Sequence, residues 1–193
     1  MVTMALPAHS AQFHGSADFF TSVFCYEERC LRCVVEVCER RGKGEVRVLS
    51  LTEPWATLVA LKEKQFETRS WLTHYRGPIC IQAARTRPAH WQEFFGLEPF
   101  ATVLNAHHLS GWDDIGWRFG SIIAVANLTG CYEVAAPTME EIHKKTIVDL
   151  PVGNERAFGN YADGRFIFKL EDMHRLQQPV LVRGFQKIFR VQL

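Results

Sequence analysis

The sequence predicts an α+β fold, a small closed or nearly closed β-barrel with short helices at its side. Three observations lead there. The segments run strand, helix, then several strands interrupted by short helices, without the regular alternation that a parallel βαβ sheet requires. The apolar runs PICIQAA (78–84) and FGSIIAVANL (119–128) are bounded by turn residues and short enough to be buried strands. The chain has 193 residues, 47% hydrophobic and 22% charged, which suits one domain with one core plus an extension.

Charge and hydropathy exclude some classes of function. With 22 basic and 21 acidic residues the formal net charge is +1, so no whole-protein field draws in nucleic acid and any anion site is local. No run approaches the ~20 apolar residues of a membrane span. Residues 1–22 lack the basic start and apolar core of a signal peptide. The expected compartment is therefore cytoplasmic and reducing, where the six cysteines stay as thiols or ligate metal.

Residues 1–44 read as an N-terminal extension whose first 22 residues form a poorly ordered tail. Cys25, Cys30, Cys33 and Cys38 follow in that extension. Four thiolates suit a tetrahedral zinc ion, but structural zinc sites pair two CxxC or CxxH knuckles across a longer loop, and this segment has one CxxC. The favoured reading is four small apolar residues on a short helix or strand, with zinc second. The basic run 40–47 reads as a solvated linker.

The domain proper spans 45–193. Glu45–Leu51 alternates as a strand, with Leu49 breaking the pattern. Pro54 opens a helix with Trp55, Leu58 and Val59 on one face, and Lys62 and Lys64 sit near its end, where cations suit the dipole. A strand follows in which Phe66, Thr68 and Ser70 alternate with Glu67, Arg69 and Trp71, which puts the latter three on one face. Arg76-Gly77-Pro78 turns into the buried strand Pro78–Ala84. Pro88–Phe95 reads as helical, with Trp91, Phe94 and Phe95 on a core stripe, and Phe100–His107 as a second short helix. Residues 112–117 form a loop, and Phe119–Leu128 is the longest strand. Thr138–Lys145 carries a capping box in Thr138 and Glu141. After the turn-rich 153–163, strands are expected at Gly164–Leu170, Pro179–Arg183 and Ile188–Leu193.

Lys64, Glu67, Arg69 and Trp71 crowd one short polar run between apolar elements. As a salt-bridged surface strand each exposed pair is worth only ~0–1 kcal/mol. As a binding surface, Lys64 and Arg69 meet a phosphate or base edge and Trp55 or Trp71 offers a stacking platform, worth about 1–3 kcal/mol per base. As a catalytic set, Glu67 or Glu53 activates water while Lys64 stabilises the oxyanion. A carboxylate between two cations suits charge pairing better than proton abstraction, so binding ranks first, the surface strand second and catalysis third. Tyr75, Arg76 and Arg85 extend the same basic, aromatic surface. His107, His108 and His143 lack metal-site spacing with any cysteine, so no metal and no cofactor are assigned.

The stretch SLTEPWATLVALKEKQFETRSWLTHYRGPICIQAAR (50–85) resembles the ASCH family of the PUA-like superfamily. FGSIIAVANLTGC is similar to that family's central strand, ERAFGNYADGRFIFKL to its FGDY-type segment, and PVLVRGFQKIFRV to its closing strand. The resemblance covers residues 47–193 in order, and residues before Glu45 find no counterpart. It implies a PUA-like small β-barrel with a cleft beside the PW helix, lined by Trp55, Lys64, Glu67, Arg69 and Trp71. It places Asn160, Tyr161 and Arg165 near the cleft mouth, although Arg165 equally suits pairing with Glu155 or Asp163. The implied partner is RNA or a modified nucleoside or nucleotide. The alternative is a hydrolase of the acetylcytidine amidohydrolase or ribonuclease type using Lys64 and Glu67. Glu53 stands where the family has Gln, Lys62 where it has Gly, Gln82 for His, Asn160 for Asp and Phe168 for Trp. Glu67 occupies the position of the amidohydrolases' catalytic Thr, so that hydroxyl is absent.

Overall fold

The computed structural model describes residues 45–87, 89–111, 113–116, 118–134 and 150–193. The cysteine cluster, the rest of the N-terminal extension, His143 and the expected helix at 138–145 lie outside the described residues. In chain order the elements are β1 (Glu45–Leu51), α1 (Trp55–Ala60), β2 (Phe66–Arg69), β3 (Gly77–Ala83), a 3-10 helix (Trp91–Gly96), α2 (Phe100–Ala106), α3 (Asp113–Gly116), β4 (Ser121–Glu133), α4 (Asn154–Ala157), β5 (Phe166–Leu181) and β6 (Ile188–Gln192). Among the described residues six strands form one curled sheet in the order β2-β5-β4-β3-β1-β6, with short helices beside it. β1 and β3 run parallel, and the other neighbours are antiparallel.

The break at Leu49 has a physical cause. Val46 and Val48 pack with Cys80, Ile122, Leu176 and Phe189 on one side of the sheet. Leu49 and Leu51 pack on the other side with Val59, Ile81, Ile123 and Phe168. β1 is buried on both faces, so strict alternation of apolar and polar residues is not required of it. A third cluster, of Leu58, Trp91, Phe100, Leu104 and Phe158, fills the space between the far face of α1, the 3-10 helix and α2.

Helix α1 is held at its start by Glu53, whose Oε2 accepts the Thr57 N–H and whose Oε1 accepts the Thr57 hydroxyl, both at 3.0 Å. It ends at Leu61, after which the amides of Glu63 and Lys64 both donate to Leu58 O. The two lysines do not serve the helix dipole as expected. Lys62 sits in the left-handed region at φ 69° and is exposed, while Lys64 is buried. A left-handed conformation costs a side-chain-bearing residue about 1–2 kcal/mol, part of which glycine returns through its freer unfolded chain. Lys62→Gly is therefore expected to raise the unfolding free energy by about 0.5–1 kcal/mol in a urea titration. A stability loss would refute this account of the turn.

Two further expectations are corrected. The strands read at Gly164–Leu170 and Pro179–Arg183 are one sixteen-residue strand, β5, which stays paired with β4 through register shifts. The strand containing Glu67 ends at Arg69, so the alternation does not carry Trp71 onto its face. Trp71 instead meets Phe168 edge-on, with ring centres 5.0 Å apart.

The sheet stays open between its edge strand β2 and β1, and a side chain bridges the gap. Pairing of β6 with β1 runs from Glu45 to Leu49, which leaves Ser50 beyond its reach. There Arg69, at the end of β2, donates from Nη2 to Ser50 O at 2.6 Å.

Candidate functional site

A cleft of about 370 Å³ opens where that seam meets α1. The end of β1 (Ser50, Leu51, Thr52) and Trp55 form one side of its lining, with Ala84 after β3. Glu67, Thr68 and Arg69 of β2 and the segment 157–160 complete it. Trp55 is half-buried, and its indole is fixed edge-on by Phe94 at 4.8 Å and Phe100 at 5.8 Å between ring centres.

The polar centre of the lining is a three-residue ion-pair chain. Glu67 Oε1 lies 3.1 Å from Arg69 Nε, and Glu67 Oε2 lies 3.5 Å from Lys64 Nζ. The members differ sharply in access to solvent: the Arg69 side chain is 25% exposed, that of Glu67 11% and that of Lys64 0%. Lys64 Nζ donates to Phe158 O at 2.9 Å and to Phe66 O. Its ammonium thus supports the wall from behind, and Lys64 is absent from the cleft lining.

The opposite wall is stitched to β2 by further bonds. The Glu155 carboxylate accepts the N–H groups of Gln65 at 2.8 Å and Phe66 at 3.1 Å. Burial holds the Glu155 carboxyl above its ordinary value, against the lowering effect of those two amides. Asn160 N–H donates to Thr68 Oγ1 at 3.0 Å, and Arg165 Nη2 donates to Thr68 O at 3.1 Å. The walls of the cleft are therefore tied to each other through several elements, which favours a pre-formed site.

Of the residues singled out from sequence, Trp55, Glu67, Arg69 and Asn160 line the cleft together. Glu53 is fully buried at the start of α1, where burial pushes its carboxyl up to about 7 against the Thr57 hydrogen bonds and the Arg118 charge. Tyr161 is buried with Val134 and Ile167, and burial, with Glu155 and Glu67 nearby, holds its phenol above the usual range. Arg165 donates to Thr68 O of the β2 backbone. Trp71, Tyr75 and Arg85 are not part of the lining: Tyr75 hydrogen-bonds Pro78 O beneath Arg47, and Arg85 is exposed just past Ala84.

Sequence reasoning passed over Ser50, Thr52, Thr68 and Gly159, all of which line the cleft. Gly159 carried a readable signal, because a Cβ there would stand 2.6 Å from the Tyr161 ring. The Gly-x-Tyr spacing is what lets that ring pack under the segment. Among the described residues no group of three or more His, Cys, Asp or Glu side chains gathers to hold a metal ion. No described helix is long and apolar enough to cross a membrane.

No family model matches the chain, and no curated protein matches it. Solved structures do. The chain is similar to ASCH from Zymomonas mobilis at 15% identity and a TM-score of 0.41, over 77% of this chain and 89% of that one. Two single-residue mutants of the Zymomonas protein are also similar, each at 16% identity over 75% of this chain. They give TM-scores of 0.40 and 0.39 over 88% and 87% of their own lengths.

Proposed function

We propose that the cleft binds RNA or a modified nucleoside or nucleotide, as the ASCH resemblance implies. The observation that carries this reading is the placement of Glu67 and Arg69 side by side in the lining of a cleft that Trp55 also lines. A carboxylate and a guanidinium together present acceptors beside donors, the pattern a nucleobase edge also carries, and the indole supplies an apolar surface for the ring. The volume falls within the range of small-ligand sites, about 300–1,000 Å³. Asn160 adds an amide at the facing wall.

The hydrolytic alternative needs Lys64 at the substrate. Its ammonium already serves two carbonyls and Glu67, and its side chain is wholly buried, which favours binding over turnover.

Calorimetric titration with nucleosides, N-acylated cytidine among them, and with short single-stranded RNA tests the proposal. Trp55→Ala is expected to weaken the best ligand by about 1–3 kcal/mol, roughly fivefold to 150-fold. Undiminished affinity in Trp55→Ala would remove the cleft from consideration, and product accumulating in the same mixtures would favour the hydrolase.

A further inference from the structure

The loop between β5 and β6 reaches the edge of the cleft. Ile188 opens β6 opposite Leu49, and the next residue of β1, Ser50, lines the cleft. Lys187, just before that pair, is left-handed at φ 60°, so the chain joins the ladder through a turn. Side-chain bonds pin the loop to the same residue. Ser50 Oγ donates to Gln82 Oε1, and Gln82 Nε2 donates to Val182 O at 2.8 Å. Gly184 closes the contact. A Cβ there would stand 2.8 Å from Gln82 Oε1 and 3.4 Å from Ser50 Oγ, so the approach requires glycine.

What this loop exposes is cationic and aromatic. Arg183, Phe185 and Lys187 all face solvent, and the Arg183 guanidinium lies over the Phe185 ring, 5.3 Å from its centre. Phe189 meets Phe185 edge-on at 5.4 Å, yet Phe185 remains 52% exposed, a braced ring half open to solvent. Arg85 adds an exposed cation one residue past Ala84 of the cleft lining. Gly120 links it to the loop: its carbonyl accepts the Val182 N–H at 3.0 Å, and Arg85 Cβ lies 3.8 Å from where a Cβ on Gly120 would be. Residues 173–193 carry Arg175, Arg183, Lys187 and Arg190 and no aspartate or glutamate, so a chain of net charge +1 gathers positive charge locally here.

Cations alone suit any polyanion, and the exposed ring among them narrows the choice. Single-stranded RNA offers a phosphate at every residue and unstacked bases whose faces are free for an aromatic side chain. A lipid headgroup gives the ring nothing to stack on, and a duplex hides its bases. We propose that the β5–β6 loop is an RNA-backbone surface continuous with the cleft. Arg85, Arg183 and Lys187 meet the phosphates that flank the nucleotide in the cleft, and Phe185 stacks on a neighbouring base. The proposal rests on the nucleobase reading of that cleft and names a strand, rather than a free nucleoside, as its guest.

The test is fluorescence anisotropy of the full chain with single-stranded RNA of mixed sequence, about eight residues long, across a chloride series. The four nucleoside 5′-monophosphates serve as competitors. The RNA is expected to bind at least about tenfold tighter than any monophosphate. Its log affinity should fall with log salt at a slope of about −2, from three phosphates at about 0.7 each. Arg183→Gln and Lys187→Gln should each reduce that slope by about 0.7 and keep the wild-type unfolding midpoint, both side chains being exposed. Neither residue lines the cleft, so monophosphate affinity should stay unchanged in both. Phe185→Ala should weaken the RNA about fivefold or more with the slope retained. An RNA no tighter than the monophosphates, or a slope undiminished in both charge variants, overturns the surface and leaves the cleft reading standing if Trp55→Ala still weakens the monophosphates. RNA binding that responds to the two charge variants and ignores Trp55→Ala upholds the surface and removes the cleft from it.

Discussion

Lys64→Met is expected to lower the unfolding free energy by about 3–5 kcal/mol, measured by urea titration at neutral pH. Methionine keeps most of the apolar stem, so the loss isolates the ammonium. Three groups depend on it: the carbonyls of Phe66 and Phe158 lose a donor, and Glu67 loses a counter-charge. A buried acceptor left without a partner costs about 1–3 kcal/mol. Arg69 remains beside Glu67, which holds the total toward the lower end. The same change should speed hydrogen exchange in the segment around Phe158, because the Lys64 bond ties that segment to β2. A loss below about 1 kcal/mol would mean that the ammonium reaches water in solution, and the reading of Lys64 as a structural tie would fall.

The second large effect is a pH dependence. Burial raises the Glu53 carboxyl from 4.5 to about 7. Between those values the folded chain holds a proton that the unfolded chain has released, so unfolding stability falls as pH rises. The contribution is fully present below the unfolded value and gone once pH passes the folded one. A shift of that size corresponds to about 3 kcal/mol across the window. Glu53→Gln removes the ionisation while its amide oxygen can still accept the Thr57 N–H. The variant is expected to lack this slope and to be the more stable protein at pH 8, although not at pH 4. Glu155 adds a slope of the same sign in both proteins, so the difference between them isolates Glu53. Parallel pH profiles for the two proteins would refute the assignment.

Parts of this architecture were legible in sequence because burial leaves a period. β1, β3 and β4 are apolar through most of their length, and the PW helix shows its buried stripe. The unity of β5 was hidden by Glu171, Asp172, Gln177 and Gln178, which interrupt the pattern where the strand is bulged or exposed. Lys64 was read as a ligand because lysine is seldom buried. The carbonyls of Phe66 and Phe158, with the Glu67 carboxylate, explain its place, and Phe158 lies far along the chain. The pairing of Glu67 with Arg69 was legible from their spacing in an extended segment, whereas Trp71 was assigned by continuing a period past the end of its strand.

Arg69 holds two offices at once: it ties β2 to the β1 backbone, and it stands in the wall where a guest would lie. A ligand oxygen that recruits this guanidinium competes with Ser50 for the same fork of N–H groups. Grip on a guest and integrity of the host thus draw on a common side chain, and selection for tighter capture at this position would be felt at once as a change in how firmly the protein stays folded.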